Sequence, residues 1–250
     1  MNRSTASLAA LHLVGNALLL WLGYYWLGLG ESDAAHLAWN AIVIVLFTLG
    51  ALWLHGTALV LFNRETETRF AAAARIALRH LAPLFVIAAG AAIVYWLLAL
   101  WNDSFGHNAF VIGSYATMKL RKPVAPSGVL RAFYVFIWLL RWMIVPVILL
   151  RLGASVALRG WAGFRFPWPM PRFRWFYWVE VCALLLCAIW VPLKLIDWVP
   201  HITQFALQLA SFLSRLGVGY LLFVFALLIL EFLTSAGKPR LSQPSTASSP

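Results

Sequence analysis

Long apolar runs alternate along this chain with short polar breaks that are mostly basic. Six runs are long enough to cross a bilayer core of about 30 Å, which takes about 20 apolar residues in a helix. They cover residues 8–29, 37–62, 81–101, 130–152, 175–196 and 205–233. The pattern predicts an all-α fold, a polytopic integral membrane protein with a bundle of six transmembrane helices. Residues 1–234 would form that single domain. Residues 235–250 are rich in Ser and Pro and have no periodicity, which predicts a disordered cytoplasmic tail. The first run follows a short stretch with one arginine and no small-residue cleavage site, so it is expected to stay as a helix rather than leave as a signal peptide.

Composition excludes a soluble domain. Hydrophobic residues make up 63% of the 250 and charged residues only 11%, against about 45–50% and 25% in soluble proteins. The net charge of +11 lies between the apolar runs, where it sets orientation and meets anionic headgroups. Twelve Lys and Arg fall on one side of the predicted spans (Arg3, Arg64, Arg69, Arg75, Arg79, Arg151, Arg159, Arg165, Arg172, Arg174, Lys238 and Arg240) and five on the other. Both termini are therefore expected in the cytoplasm, in a multi-pass protein of a bacterial inner membrane. Trp26, Trp39, Trp101 and Trp198 fall at the outer boundary, and Trp161, Trp168, Trp175 and Trp178 at the inner one, the levels that indole rings favour. Cys182 and Cys187 lie five apart on one predicted helix and diverge by about 140°, so no disulfide between them is implied.

Three connecting segments stand out. Residues 63–80 read as a helix leading straight into the third span, with Arg75 and Arg79 on a basic face. Residues 160–178 interleave Pro167, Pro169 and Pro171 with aromatic rings and arginines, which rules out helix there. This composition suits a bilayer interface, with Arg165, Trp168, Arg172, Arg174 and Trp175 as lipid contacts. Nucleic acid is not an expected partner. The outer segment 102–128 reads as a long loop, apolar at 109–116. Spans 2 and 3 also resemble spans 4 and 5 in their Arg-rich connections and Trp-rich ends, faintly enough for convergence to explain.

Ionisable residues inside a span cost about 2.5–3.5 kcal/mol each on insertion scales, so each needs a reason. Arg141 lies in the middle of the fourth span and Glu180 about six residues into the fifth, which makes Arg141–Glu180 the expected buried pair. Arg151 competes for Glu180, with Glu231 as an alternative partner for Arg151. His12 and His55 fall at similar depth, near the level of Glu180; two imidazoles and a carboxylate suit a metal or a proton path. Without an HExxH or Glu-x-x-His spacing, ordinary interhelical hydrogen bonding is the better expectation, and no cofactor is assigned. His12–Asn16 and His36–Asn40 repeat one i, i+4 spacing. In the sixth span, His201, Gln204, Gln208, Ser211 and Arg215 share one face within about 80°. Either a single long helix, the favoured reading, turns that stripe inward to line a cavity on the outer side, or an interfacial helix precedes a short span and Arg215 snorkels outward.

No P-loop, dinucleotide fingerprint, nucleophile elbow or catalytic carboxylate pair occurs in the sequence. The leading expectation is a non-enzymatic membrane scaffold or accessory subunit. The alternative is a binder or transporter of a lipid or small amphiphile, using the stripe on the sixth span and the Trp-Pro-Arg loop. The lipid bilayer, with anionic headgroups on the cytoplasmic side, is the partner the sequence names.

Overall fold

The computed structural model describes residues 3–30, 33–63, 69–165, 175–201 and 203–235. Among the described residues no strand occurs, and six helical stretches are long and apolar enough to cross a membrane. They are Ala6–Leu27, Ala34–Leu61, Leu81–Leu120, Pro126–Phe164, Phe176–Asp197 and Phe205–Ser235. The chain is an all-α polytopic membrane bundle. Large apolar side chains such as Leu18, Trp21, Ile93, Trp96, Val218 and Phe225 stay on its outer surface, because lipid tails are as good a solvent for them as another helix.

Helices α1 (Arg3–Leu27) and α2 (Ala34–Leu61) form the first hairpin. Asp33 caps α2 by accepting a hydrogen bond from the His36 backbone N–H at 2.8 Å, which satisfies one of the orphan donors of that helix end. Across the turn, the Trp39 indole N–H donates to the Tyr25 hydroxyl at 3.1 Å, and the Asn40 amide donates to the Gly30 carbonyl at 3.2 Å. Helix α2 is the hub of the bundle, packing on α1 and on α3 (Phe70–Arg79), α4 (Leu81–Leu120), α6 (Val145–Arg159) and α9 (Phe205–Ser235). Gly56 makes one of these crossings close, because a Cβ there would lie 3.2 Å from Leu84 of α4.

The expected helix before the third span is present as α3. Its Ala73 and Ala77 are fully buried, with Ala73 in the core formed by Leu59, Val60, Leu84, Val156 and Ala157, while Arg75 and Arg79 are exposed. Arg75, Arg79, Arg159 and Arg165 thus gather at one end of the bundle, the basic end. His80, between α3 and α4, directs Nδ1 at the Ala157 carbonyl at 2.8 Å. The 3-10 turn Gly160–Phe164 folds back on α6 and depends on two glycines. Gly160 has φ +59° and would place a Cβ 2.9 Å from the His80 ring; a Cβ on Gly163 would lie 2.7 Å from the Ser155 carbonyl oxygen.

The outer segment is corrected by the structure. It is not a long loop: α4 runs on to Leu120, and α5 (Pro126–Leu139) begins after a five-residue turn. At 1.5 Å per residue, the 40 residues of α4 reach about 60 Å, twice the bilayer core. The polar residues Asn102, Asp103 and His107 interrupt the hydropathy without interrupting the helix, because helix–helix packing continues past them. Phe105 stacks on Phe133 with centroids 3.5 Å apart, Trp101 sets its edge on Phe133 and Phe136, and Gly113 admits Pro126. The helix stops where Arg121 turns left-handed (φ 51°), two residues before Pro123.

Spans four and five share a device. Each contains a five-residue π turn, Leu140–Ile144 and Leu186–Trp190, followed by Val-Pro at Val145-Pro146 and Val191-Pro192. Proline lacks the N–H of the i→i−4 ladder and clashes with the i−4 carbonyl. The extra residue of a π turn absorbs that clash: the N–H of Val145 reaches back to Leu140 and that of Val191 to Leu186. The fifth span is therefore α7 (Trp175–Leu185), the π turn and α8 (Val191–Asp197). This likeness joins spans four and five, not the pairs suggested by the sequence. The sixth span is one long helix, α9, and both cysteines are free.

Candidate functional site

On α1, Leu8, His12 and Asn16 recur every fourth residue and are all buried, forming one face. Asn16 donates its amide to the His12 carbonyl at 2.9 Å, and the same nitrogen lies 3.4 Å from His12 Nδ1, so the ring is held with Nε2 turned away from α1's own axis. Helix α9 brings Glu231 to this point on the face that also buries Leu230 and Thr234, and α2 brings His55. The three side chains meet. His55 Nδ1 lies 2.5 Å from Glu231 Oε1, and His12 Nε2 lies 3.7 Å from Glu231 Oε2. The two imidazole rings meet edge to face with centroids 5.4 Å apart. One ligand-type atom from each residue lies within 4.8 Å of the others, the one such group of three among the described residues.

Burial makes this cluster unusual. His12 is 0% and Glu231 4% exposed, yet His12 Nε2 and Glu231 Oε2 have no hydrogen-bond partner. Buried polar atoms are normally paired, and leaving one unpaired costs about 1–3 kcal/mol. All three residues lie within about six residues of the basic end of their spans, a depth of about 9 Å.

His55 also lines a cavity of 690 Å³ among α2, α4, α6, α7, the two π turns and α9. Its walls are mostly apolar, with Leu52, Leu59, Ile87, Leu149, Leu185 and Leu227 among them. The polar groups on the wall include His55 near the basic end and, deeper in the bundle, Tyr95 and Arg141. From Arg141 to Gly153 the cavity follows the fourth span for about 18 Å. The Tyr95 hydroxyl donates to the Arg141 backbone carbonyl at 2.9 Å, which ties α4 to the π turn. The guanidinium Nε of Arg141 is buried and has no hydrogen-bond partner.

Several expectations are corrected. Arg141 and Glu180 form no ion pair, and Glu180 is exposed. On α7 the face turned into the bundle carries Tyr177 and Val181, and Glu180 lies off it. Glu231, not Glu180, is the carboxylate between His12 and His55, so it does not serve Arg151. Arg151 instead donates to the Thr234 carbonyl at 3.3 Å and lies 4.4 Å above the centre of the Tyr177 ring. Among the described residues, the stripe on the sixth span is exposed or half-buried and not turned into the bundle core. Gln204 precedes α9, and Gln204 and Gln208 are exposed. Arg215 reaches the other way, donating to the carbonyls of Leu195 and Ile196 at 3.2 Å each and to Ser211 at 3.2 Å. It satisfies the orphan carbonyls at the end of α8.

Arg165 is exposed beyond the 3-10 turn. Trp168, Arg172 and Arg174 lie outside the described residues, as do residues 236–250, and Trp175 is described only as the first residue of α7. The role of Glu231 in the cluster and the setting of Tyr95 were not read from the sequence. Depth counting would have found Glu231, which stands as near the basic end of its span as His12 and His55 do.

No family model, no curated protein and no solved structure matches this chain.

Proposed function

We propose that this protein binds a single-chain anionic amphiphile, a fatty acid or a lipid phosphate, in the cavity between its spans. The observation that carries the reading is half-buried Arg141 on the mostly apolar cavity wall, its Nε buried without a hydrogen-bond partner. A cation in such a place is costly unless an anion meets it. The cavity lies within the size of small-molecule sites, about 300–1,000 Å³, and its length along the fourth span suits one extended apolar chain. Arg141 takes the headgroup and the leucines and Ile87 take the chain. This favours the binder over the scaffold, since a helix-packing arginine would be expected to have a protein partner. The polar stripe and the Trp-Pro-Arg loop are not needed for it.

The setting we propose is a bacterial inner membrane with both termini in the cytoplasm. The twelve-to-five distribution of Lys and Arg supports that orientation, and reporter fusions at each terminus test it.

The binding test is lipid analysis of protein purified in native-lipid particles. Wild type is expected to retain about one anionic amphiphile per chain, Arg141→Lys to retain part of it, and Arg141→Gln to lose it. Gln208→Leu should behave as wild type. Equal retention by wild type and Arg141→Gln would sink the proposal.

A further inference from the structure

We propose that His12, His55 and Glu231 hold one divalent metal ion of the zinc class within the membrane domain. Two imidazoles and one carboxylate form a donor set that zinc accepts with a further position open. A tetrahedral ion with bonds of about 2.0–2.2 Å sets its ligand atoms about 3.3–3.6 Å apart. The 3.7 Å between His12 Nε2 and Glu231 Oε2 nearly matches that spacing already. Taken one atom per residue, the three ligand atoms lie within 4.8 Å of one another, so closing on an ion asks for side-chain shifts of about 1 Å, with the ion replacing the proton between His55 and Glu231.

A hydrogen-bonded packing cluster would be expected to use its buried polar atoms on one another. This one leaves His12 Nε2 and Glu231 Oε2 facing each other at 3.7 Å with no hydrogen bond between them. An ion between them satisfies both atoms at once and places its positive charge beside the carboxylate, which relieves the cost of burying that anion. Three separate helices supply the ligands: α1, α2 and α9. Asn16 restrains the His12 ring from behind. Of the three ligands, His55 also forms part of the cavity wall. The site draws on no residue assigned to the amphiphile headgroup, so the two proposals stand or fall separately.

The experiment uses untagged full-length protein, stripped with a chelator and titrated with Zn²⁺ and, in parallel, with Co²⁺. Wild type is expected to take up one equivalent per chain, with a rise in thermal stability on zinc binding. Glu231→Gln and His55→Gln, checked for folding by circular dichroism, should weaken binding by at least about tenfold, whereas Arg141→Gln should bind as wild type does. X-ray absorption at the zinc edge of the wild-type protein reads the ligands without any variant, and two imidazoles with oxygen are expected. Failure of the wild type to bind micromolar zinc overturns the proposal. So does undiminished binding in folded Glu231→Gln and His55→Gln, or a ligand shell with sulfur or without imidazole.

Discussion

His55 and Glu231 lie 176 residues apart in the chain, and their side chains meet at 2.5 Å inside the bundle. The contact joins the second span to the last, and His12 adds the first. Replacing Glu231 by Ala leaves the His55 imidazole without its acceptor, and should cost about 3 kcal/mol of stability. Glu231→Gln keeps an acceptor carbonyl and should cost about 1 kcal/mol. Chelator-treated protein unfolded in mixed micelles gives both numbers; equal losses would mean that a neutral acceptor does not replace the carboxylate.

Arg215 has a structural task that its position in a polar stripe concealed. It supplies donors to Leu195 and Ile196 at the end of α8, where helix carbonyls have no partner of their own. Arg215→Met should lower stability by about 2 kcal/mol, the worth of a hydrogen bond from a charged donor. Arg215→Lys should recover part of that loss. The same unfolding assay reads both, and a neutral methionine variant would show that solvent already satisfies those carbonyls.

The hairpin of α4 and α5 continues well past the length a bilayer requires. Backbone amides of residues 109–116 should therefore exchange with deuterium slowly, because they sit in a helix packed on its partner by Phe105, Phe133, Gly113 and Pro126. Phe105→Ala should speed that exchange by removing the stacked ring. Exchange at the rate of an unstructured loop in the unaltered protein would contradict the extended hairpin.

Asp33 gives α2 a pH response at its exposed start. The hydrogen bond from the His36 backbone N–H, followed by that from the His36 side chain, holds its carboxyl below the usual range. The folded value is the lower one, so the capping contribution is complete above the ordinary aspartate pKa of about 4 and fades as pH falls through the folded value. Amides of the first turn of α2 should exchange faster on acidification, and Asp33→Asn should abolish that dependence while keeping the cap.

Span number, the limits near the basic end of every span but the fourth, which was expected to stop at 152 while α6 runs to Arg159, and the amphipathic helix before the third span were legible in the chain. Length and hydropathy determine them locally, since a backbone in lipid must satisfy its own hydrogen bonds. The outer ends of spans three and four were not legible, because Asn102, Asp103 and His107 look like a loop until Phe105 is seen stacked on Phe133. The depths of Arg141, Glu180 and Glu231 could be counted, but depth is only one coordinate.

By itself, then, the sequence determined that this is a six-span helical membrane protein and which ionisable side chains lie within it. Only the tertiary structure decided their partners: Glu231 between the histidines, Glu180 on the outside, Arg141 at the cavity and Arg215 at the end of α8. The reason is rotational. Hydropathy along the chain tells how far a residue lies into the bilayer, whereas its direction around the helix is set by close packing at points such as Gly56 on Leu84, which no single segment contains.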